Sequence, residues 1–332
     1  MPCLLAAPIM RRYQAFGNLF AGAGQGVYRL DRHPVMSRHP VTPIEEADVA
    51  LHISKQTDIA FGLIMIEDLA CDPKQALMTA IDTGSEVISL DAMTDAELTQ
   101  VGGLIWENRG EQLFAVGSQG IEYALVGHWR AESLIPSEDR TTGVGPADRM
   151  LAVSGSVSAV TKEQIDWAGT HGFAPIALDA ASVVMGSEAA EDQAVRSAHV
   201  ALSKGLDPLI YSARGPDDPA ITATHEARER AGVSKEVANA RIGAALGRCL
   251  SRLIRETGIR RAVISGGDTS GHASRELGLY AFTALAPTIP AAALLAAHTE
   301  DPALAGLQLA LKGGQMGSAD YFGWIKRGGG AA

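Results

Sequence analysis

Short continuous apolar runs alternate along the chain with stretches whose apolar positions recur every three to four residues, a rhythm that predicts an α/β protein. Strand-like runs fall at Leu4 to Ile9, Phe61 to Ile66, Val87 to Leu90 and Leu113 to Val116, with helical patterns over Pro73 to Thr83 and Asp95 to Asn108. From Ile135 to Arg149 the stretch "IPSEDRTTGVGPADR" mixes Pro, Gly and charge with no period, which marks a domain boundary. The rhythm then restarts with strands at Met150 to Val153, Pro175 to Leu178 and Leu209 to Ser212, and helices from about Thr161 and over Glu191 to Lys204. Ser234 to Glu256 places Ile242, Leu246, Cys249, Leu250 and Leu253 on one helical face, with Ser234 as N-cap and Gly258 past its end. Two α/β domains with mainly parallel sheets are expected, residues 1–135 and 150–332, joined by a linker over 136–149.

Glycine-bearing loops follow three of the strands in the second half. The first, "AVSGSVSAVTKEQ", runs from a strand through Gly155, Ser156, Val157 and Ser158 into a helix from Thr161, with Gln164 placed as in a capping box. The second, "AVISGGDTSGHAS", leaves a buried strand at Ser265 and passes through Gly266, Gly267, Asp268, Thr269 and Ser270 to a short helix, Ala273 to Leu277. The third, "LALKGGQMGSADYF", ends a strand in Lys312, Gly313 and Gly314, with Gly317 after it. A strand end leading through small residues to a helix N-terminus collects anions, because unpaired backbone N–H groups and the helix dipole face the loop. Such loops also occur in α/β crossovers that bind nothing. Asp268 suits a magnesium contact or a hydroxyl partner and equally a helix cap, and Lys312 suits a phosphate or a solvated strand end. Three such loops at the carboxyl ends of neighbouring strands would converge on one crevice.

The 38 acidic against 28 basic residues give a net charge of −10 without a long basic block, which argues against nucleic acid as a partner. The three cysteines are widely spaced in apolar surroundings, as in a reducing cytoplasm. The opening "MPCLLAAPIMRRY" carries its positive charges after the apolar run, the reverse of a secretory signal, and no run approaches membrane length. No Gly-x4-Gly-Lys-Ser/Thr occurs, and "GAGQG" at Gly22 to Gly26 lacks the register of a dinucleotide fingerprint. Ser156 and Ser158 do not sit in a nucleophile elbow, and the histidines show no grouping with cysteine that would hold a structural metal.

Taken in order, "SGSVSAVTKEQI", "ISGGDTSG" and "LALKGGQMG" resemble the nucleotide-binding domain of the four-carbon acid sugar kinase family, some relatives of which are labelled Hrp-dependent type III effectors. The resemblance covers most of residues 150–325, and "RYQAFGNLF" with "RHPVMSRHPVTPIEEAD" is similar to the central part of the family's substrate domain. It implies a cytoplasmic, dimeric kinase that uses ATP and Mg2+ to phosphorylate the terminal hydroxyl of a four-carbon sugar acid such as threonate, erythronate or a 3-oxo-tetronate. By motif the ATP contacts are Ser156, Ser158, Gly266, Gly267, Asp268, Thr269, Gly314 and Gly317, with Asp268 also the catalytic residue. Arg12 and Arg38, in a local basic cluster with Arg11, Arg29 and Arg32, and His39, which opens the family's recurring His-Pro-x-Thr-Pro stretch, are expected to meet the acid sugar; ordinary ion pairing of the arginines with Glu45, Glu46 and Asp48 is the other reading. Gly117, Ser118, Gln119 and Gly120, after the strand ending at Val116, form a further small loop that is a candidate to face the cleft. Two departures stand out: Val157 replaces a frequent Cys, and the family's early segment of about a hundred residues with Asp-Asp-x-Thr-Gly is absent. The chain is therefore expected to begin inside a domain, and a non-catalytic, effector-like or interaction protein that keeps the kinase fold is the alternative.

Overall fold

The computed structural model describes every residue except 39–41, 138–141, 291 and 331–332. It divides into two compact units, Met1–Asp139 and Arg140–Ala332. In the first, strands β1 (Pro2–Leu4), β2 (Arg12–Ala15), β3 (Asn18–Ala23), β4 (Gly26–Arg29), β5 (Phe61–Ile64), β6 (Val87–Leu90) and β7 (Val116–Gly117) form two sheets. A parallel sheet runs β5-β6-β1-β7, and β2-β3-β4 is a separate antiparallel meander. Apolar residues of β1, β5 and β6, including Leu4, Ile64, Ile88 and Leu90, are buried against Leu98, Val101, Leu104 and Ile105 of helix Asp95–Glu107.

Here the N-terminal strand is shorter than its apolar run. It ends at Leu4, and Pro8 opens a 3-10 turn, Pro8–Met10, because proline has no N–H to continue a ladder. The Leu113 to Val116 run likewise yields only Val116–Gly117, with Phe114 74% exposed. The meander is pinned to the sheet by Asp91, which follows β6. Its buried carboxylate accepts from the backbone N–H groups of Phe16 (2.5 Å) and Gly17 (3.1 Å), both at positive φ in the β2–β3 turn, and from Gln14 Nε2 at 3.2 Å. Burial pushes this carboxyl up from its ordinary range in spite of these donors.

The second unit adds β8 (Leu151–Ser154), β9 (Phe173–Ala177), β10 (Asp207–Tyr211), β11 (Arg261–Ser265), β12 (Leu279–Pro287), β13 (Ala293–Thr299) and β14 (Gln308–Lys312). Their order is β12-β13-β14-β11-β8-β10-β9, parallel from β14 to β9 and antiparallel at β13 and β12. After β8 the chain passes to the edge strand β9, fills the gap between them with β10, and then places β11 on the other side of β8, so a topological switch falls between β8 and β11. Helices Ala159–Thr170 and Tyr321–Arg327 cover one face of the sheet through Ile165, Tyr321 and Phe322. Helices Ala189–Ser203 and Lys235–Thr257 cover the other through Val195, Leu246, Leu250 and Leu253. Lys235–Thr257 has the expected Ser234 cap, and Gly258 closes it at φ 71°.

Candidate phosphate-binding site

Adjacent register positions set Ser154, Ser265 and Lys312 side by side at the carboxyl ends of β8, β11 and β14. The three glycine loops therefore leave the sheet together at the switch point, and backbone hydrogen bonds join them. Gly155 N–H donates to Ser265 O (3.0 Å) and Gly266 N–H to Lys312 O (2.9 Å). The loops approach so closely that side chains are excluded. A Cβ on Gly155 would lie 2.1 Å from Thr269 Oγ1, one on Gly314 2.2 Å from Ser156 Oγ, and Gly266, at φ 121°, would meet Thr269 Oγ1 at 2.9 Å.

The serines of the first loop serve this junction. Ser158 is the N-cap of helix Ala159–Thr170, accepting from Thr161 N–H at 3.0 Å, and its hydroxyl donates to Gly314 O. Thr161 Oγ1 donates to Gly314 O at 2.9 Å and lies 2.9 Å from Ser156 Oγ. The helix thus starts two residues before the expected Thr161, and the expected capping-box role of Gln164 gives way to another: its Nε2 donates to Met316 O (2.9 Å) and Ser318 O (3.0 Å), fastening the third loop. Gly317, at φ 91°, packs against the Tyr321 ring and Gln164. Thr269 is buried as a wedge between Gly155 and Gly266.

Beyond Gly266 the helix is Gly267–Glu276, six residues longer at its start than the expected Ala273 to Leu277. Gly266 is its N-cap and brings no side chain to the first-turn N–H groups. Gly267 and Asp268 are exposed, with nothing within 4 Å of a Cβ built on Gly267. Asp268 occupies the first turn and is not the helix cap, which corrects one of its two expected readings; its carboxylate has no partner among the described residues. Two exposed N–H positions, a positive helix end and a free carboxylate therefore meet here, an arrangement suited to a phosphate chain with its divalent cation. Ser154 Oγ and Ser265 Oγ, buried at the floor, have no hydrogen-bond partner, as expected of a site completed by a polar ligand.

Lys312, whose sequence context left it open between a phosphate contact and a solvated strand end, is only 3% exposed. Its Nζ donates to Gly313 O (3.1 Å) and lies 3.4 Å from Thr161 Oγ1, and no carboxylate of the described residues pairs with it. Burial pushes its pKa down to about 8.

In the first unit Arg12 is half-buried on β2, with Nη1 3.4 Å from Gln119 Oε1. Gln119 belongs to the candidate loop after β7, where a Cβ on Gly117 would lie 2.0 Å from Leu4 O and one on Gly120 1.7 Å from Ala6 O. Arg38 ends the 3-10 turn Met36–Arg38 and is exposed; His39 lies outside the described residues. The expected pairing of arginines with Glu45, Glu46 and Asp48 is not what the acids of this segment do. Glu46 accepts from Asp48 N–H, Asp48 caps helix Val49–Ser54, and Arg11 donates to the carbonyls of Gly24 and Gly26, while Arg29 pairs with Asp31.

A cavity of the second unit, about 510 Å3, lies away from the loops between helices Ala189–Ser203 and Lys235–Thr257. Most of its charged groups pair with one another, as in Arg248–Glu191 and Arg252–Asp192, so it presents no set of convergent free groups among the described residues. Among the described residues no cluster of His, Cys, Asp and Glu could hold a metal, and no helix is long and apolar enough to cross a membrane.

An α/β unit with a glycine-lined cradle at a switch point, accompanied by a second α/β unit, defines a two-domain α/β protein built to hold a phosphate-bearing ligand. Residues 151–322 match the model of a nucleotide-binding C-terminal domain and residues 2–125 that of a sugar-binding N-terminal domain. Over 98% of its length the chain is 40% identical to the 3-oxo-isoapionate kinase of Paraburkholderia graminis, covering 70% of that protein. It is 28% identical to the 3-oxo-tetronate kinase of Cupriavidus necator and 25% to the D-threonate kinase of Salmonella typhimurium, over 92% and 84% of this chain and 66% and 63% of theirs. A solved Salmonella typhimurium LT2 structure, labelled a tRNA synthase, shares the fold at a TM-score of 0.73 and 23% identity, over 98% of this chain and 72% of that one. The chain belongs to the four-carbon acid sugar kinase family. These relatives are sugar-acid kinases, and nothing in them favours the effector-like alternative.

Proposed function

We propose that the chain is an ATP-dependent kinase that phosphorylates a hydroxyl of a 3-oxo or simple four-carbon sugar acid. The observation that carries this reading is the convergence of three glycine loops on the open first turn of helix Gly267–Glu276. Backbone of Gly266, Gly267 and Gly314 lies against the phosphates, while Ser156, Ser158 and Thr269 hold the loops in place. Asp268, with no partner among the described residues, is the carboxylate open to magnesium, which neutralises phosphate charge when bound. The acceptor oxygen bonds to the γ-phosphorus as the bridge to ADP breaks, and the hydroxyl proton is lost. The catalytic work is positioning and charge neutralisation.

For the acceptor, Arg12 with Gln119 at the carboxyl end of β7 supplies a carboxylate contact, and Arg38 a second charge nearby in sequence. The preference for a 3-oxo acid rests on the names of two relatives, a 3-oxo-isoapionate and a 3-oxo-tetronate kinase. A cytoplasmic homodimer goes with this reading on the family likeness and on three free cysteines. The test is a calorimetric titration with a non-hydrolysable ATP analogue and magnesium, followed by coupled ADP-release assays on a panel of 3-oxo and saturated four-carbon acids. Micromolar analogue binding with turnover of one acid class is expected; folded protein that binds no analogue would overturn the reading.

A further inference from the structure

We propose that the ammonium of Lys312 is the buried counter-charge of the cradle, paired by the phosphate chain of the bound nucleotide. The inference rests on the kinase reading and adds a phosphate-contacting residue that the loop motifs did not assign. Three observations carry it. Lys312 is almost fully buried, yet its Nζ has only neutral neighbours, Gly313 O and Thr161 Oγ1, both in the loops that form the cradle. A buried ammonium without an anion is costly, and such groups are kept where a ligand supplies the missing charge.

Its neighbours in register point the same way. Ser265 beside it and Ser154 beyond carry buried hydroxyls with no partner, so a row of polar groups along three strand ends awaits an acceptor-rich ligand. The Tyr321 ring lies 5.8 Å from the ammonium and walls it from the opposite side. It supplies no anion in the neutral phenol, whose ionisation burial suppresses. Apart from the Asp268 carboxylate, assigned to the cation, the other groups of the cradle, Ser156, Ser158 and the backbone of Gly266, Gly267 and Gly314, are neutral, so Lys312 gives this floor its positive charge.

The experiment compares wild type with Lys312→Met and Lys312→Gln. Thermal unfolding without ligand is followed by calorimetric titration with the ATP analogue plus magnesium, and by the melting shift produced by inorganic tripolyphosphate. Expected are ligand-free melting temperatures at or above wild type for Lys312→Met, analogue binding weakened roughly 30-fold or more in both variants, and loss of the tripolyphosphate shift. A lysine that merely braces the loop would show the opposite, a lowered melting temperature with analogue affinity intact. Either variant keeping wild-type affinity for the analogue overturns the inference while the kinase reading stands. Wild type that binds neither analogue nor tripolyphosphate overturns both.

Discussion

Gly314→Ala places a methyl 2.2 Å from Ser156 Oγ, an oxygen already held by Thr161, so the third loop must move away from the first. Loss of measurable analogue binding is expected, with a melting temperature lowered by a few degrees, as calorimetry and thermal unfolding would show. Asp268→Ala separates function from folding, because the carboxylate caps nothing and touches no described residue: stability should stay within about 0.5 kcal/mol of wild type while turnover falls. Lys312 imposes opposite pH trends on stability and binding. Its folded pKa of about 8 lies below the ordinary 10.5, so between these values the unfolded chain binds more protons and folding strengthens as pH rises. Across that window wild type should gain on Lys312→Met by on the order of 3 kcal/mol at most, whereas nucleotide affinity should fall above pH 8. Denaturant titrations and calorimetry from pH 7 to 10 would read both trends. The glycines were legible in the sequence because steric exclusion is written in the residue type; the burial of Lys312 was not, because it depends on which strands flank β14.

Ser158 is both the N-cap of helix Ala159–Thr170 and a donor to Gly314 O. Ser158→Ala should cost about 1 kcal/mol of stability by chemical denaturation and also weaken the analogue, since the third loop loses a tether. Helix existence was readable from period and cap residues, as Lys235–Thr257 shows. The start of Gly267–Glu276 was not: two glycines, Asp, Thr and Ser are poor helix formers, and tertiary packing overrides them. A Cβ on Gly247 would lie 2.7 Å from Ala273 Cα, so the two helices cross at glycine distance and hold each other. The β2-β3-β4 meander went unread for a related reason. Its glycine-rich strands carry little apolar alternation, and its register is set by Asp91, far away in sequence. Asp91→Ala should destabilise by roughly 2 kcal/mol, because the N–H groups of Phe16 and Gly17 lose their acceptor.

At the scale of the molecule, the second unit has its own sheet, two covering helix layers and all three glycine loops of the cradle. Residues 142–332 expressed alone should fold and bind the ATP analogue with an affinity near that of the full chain, and should release no ADP with any acid. Circular dichroism, calorimetry and the coupled assay would check this. Failure of the fragment to bind would mean that the first unit contributes to the nucleotide site.

The amino-acid sequence by itself determined the α/β class, the division into two units, the order of the three loops and, through those loops, the family. These depend on local period, on turn residues and on glycines whose steric demands act over a few residues. Tertiary structure alone decided that the serines of the first loop brace the cradle, that Asp268 stands free, that Gln119 accompanies Arg12 and that Lys312 is a buried charge. Each of these rests on strand order and register, which bring residues more than a hundred positions apart within a few ångströms of one another.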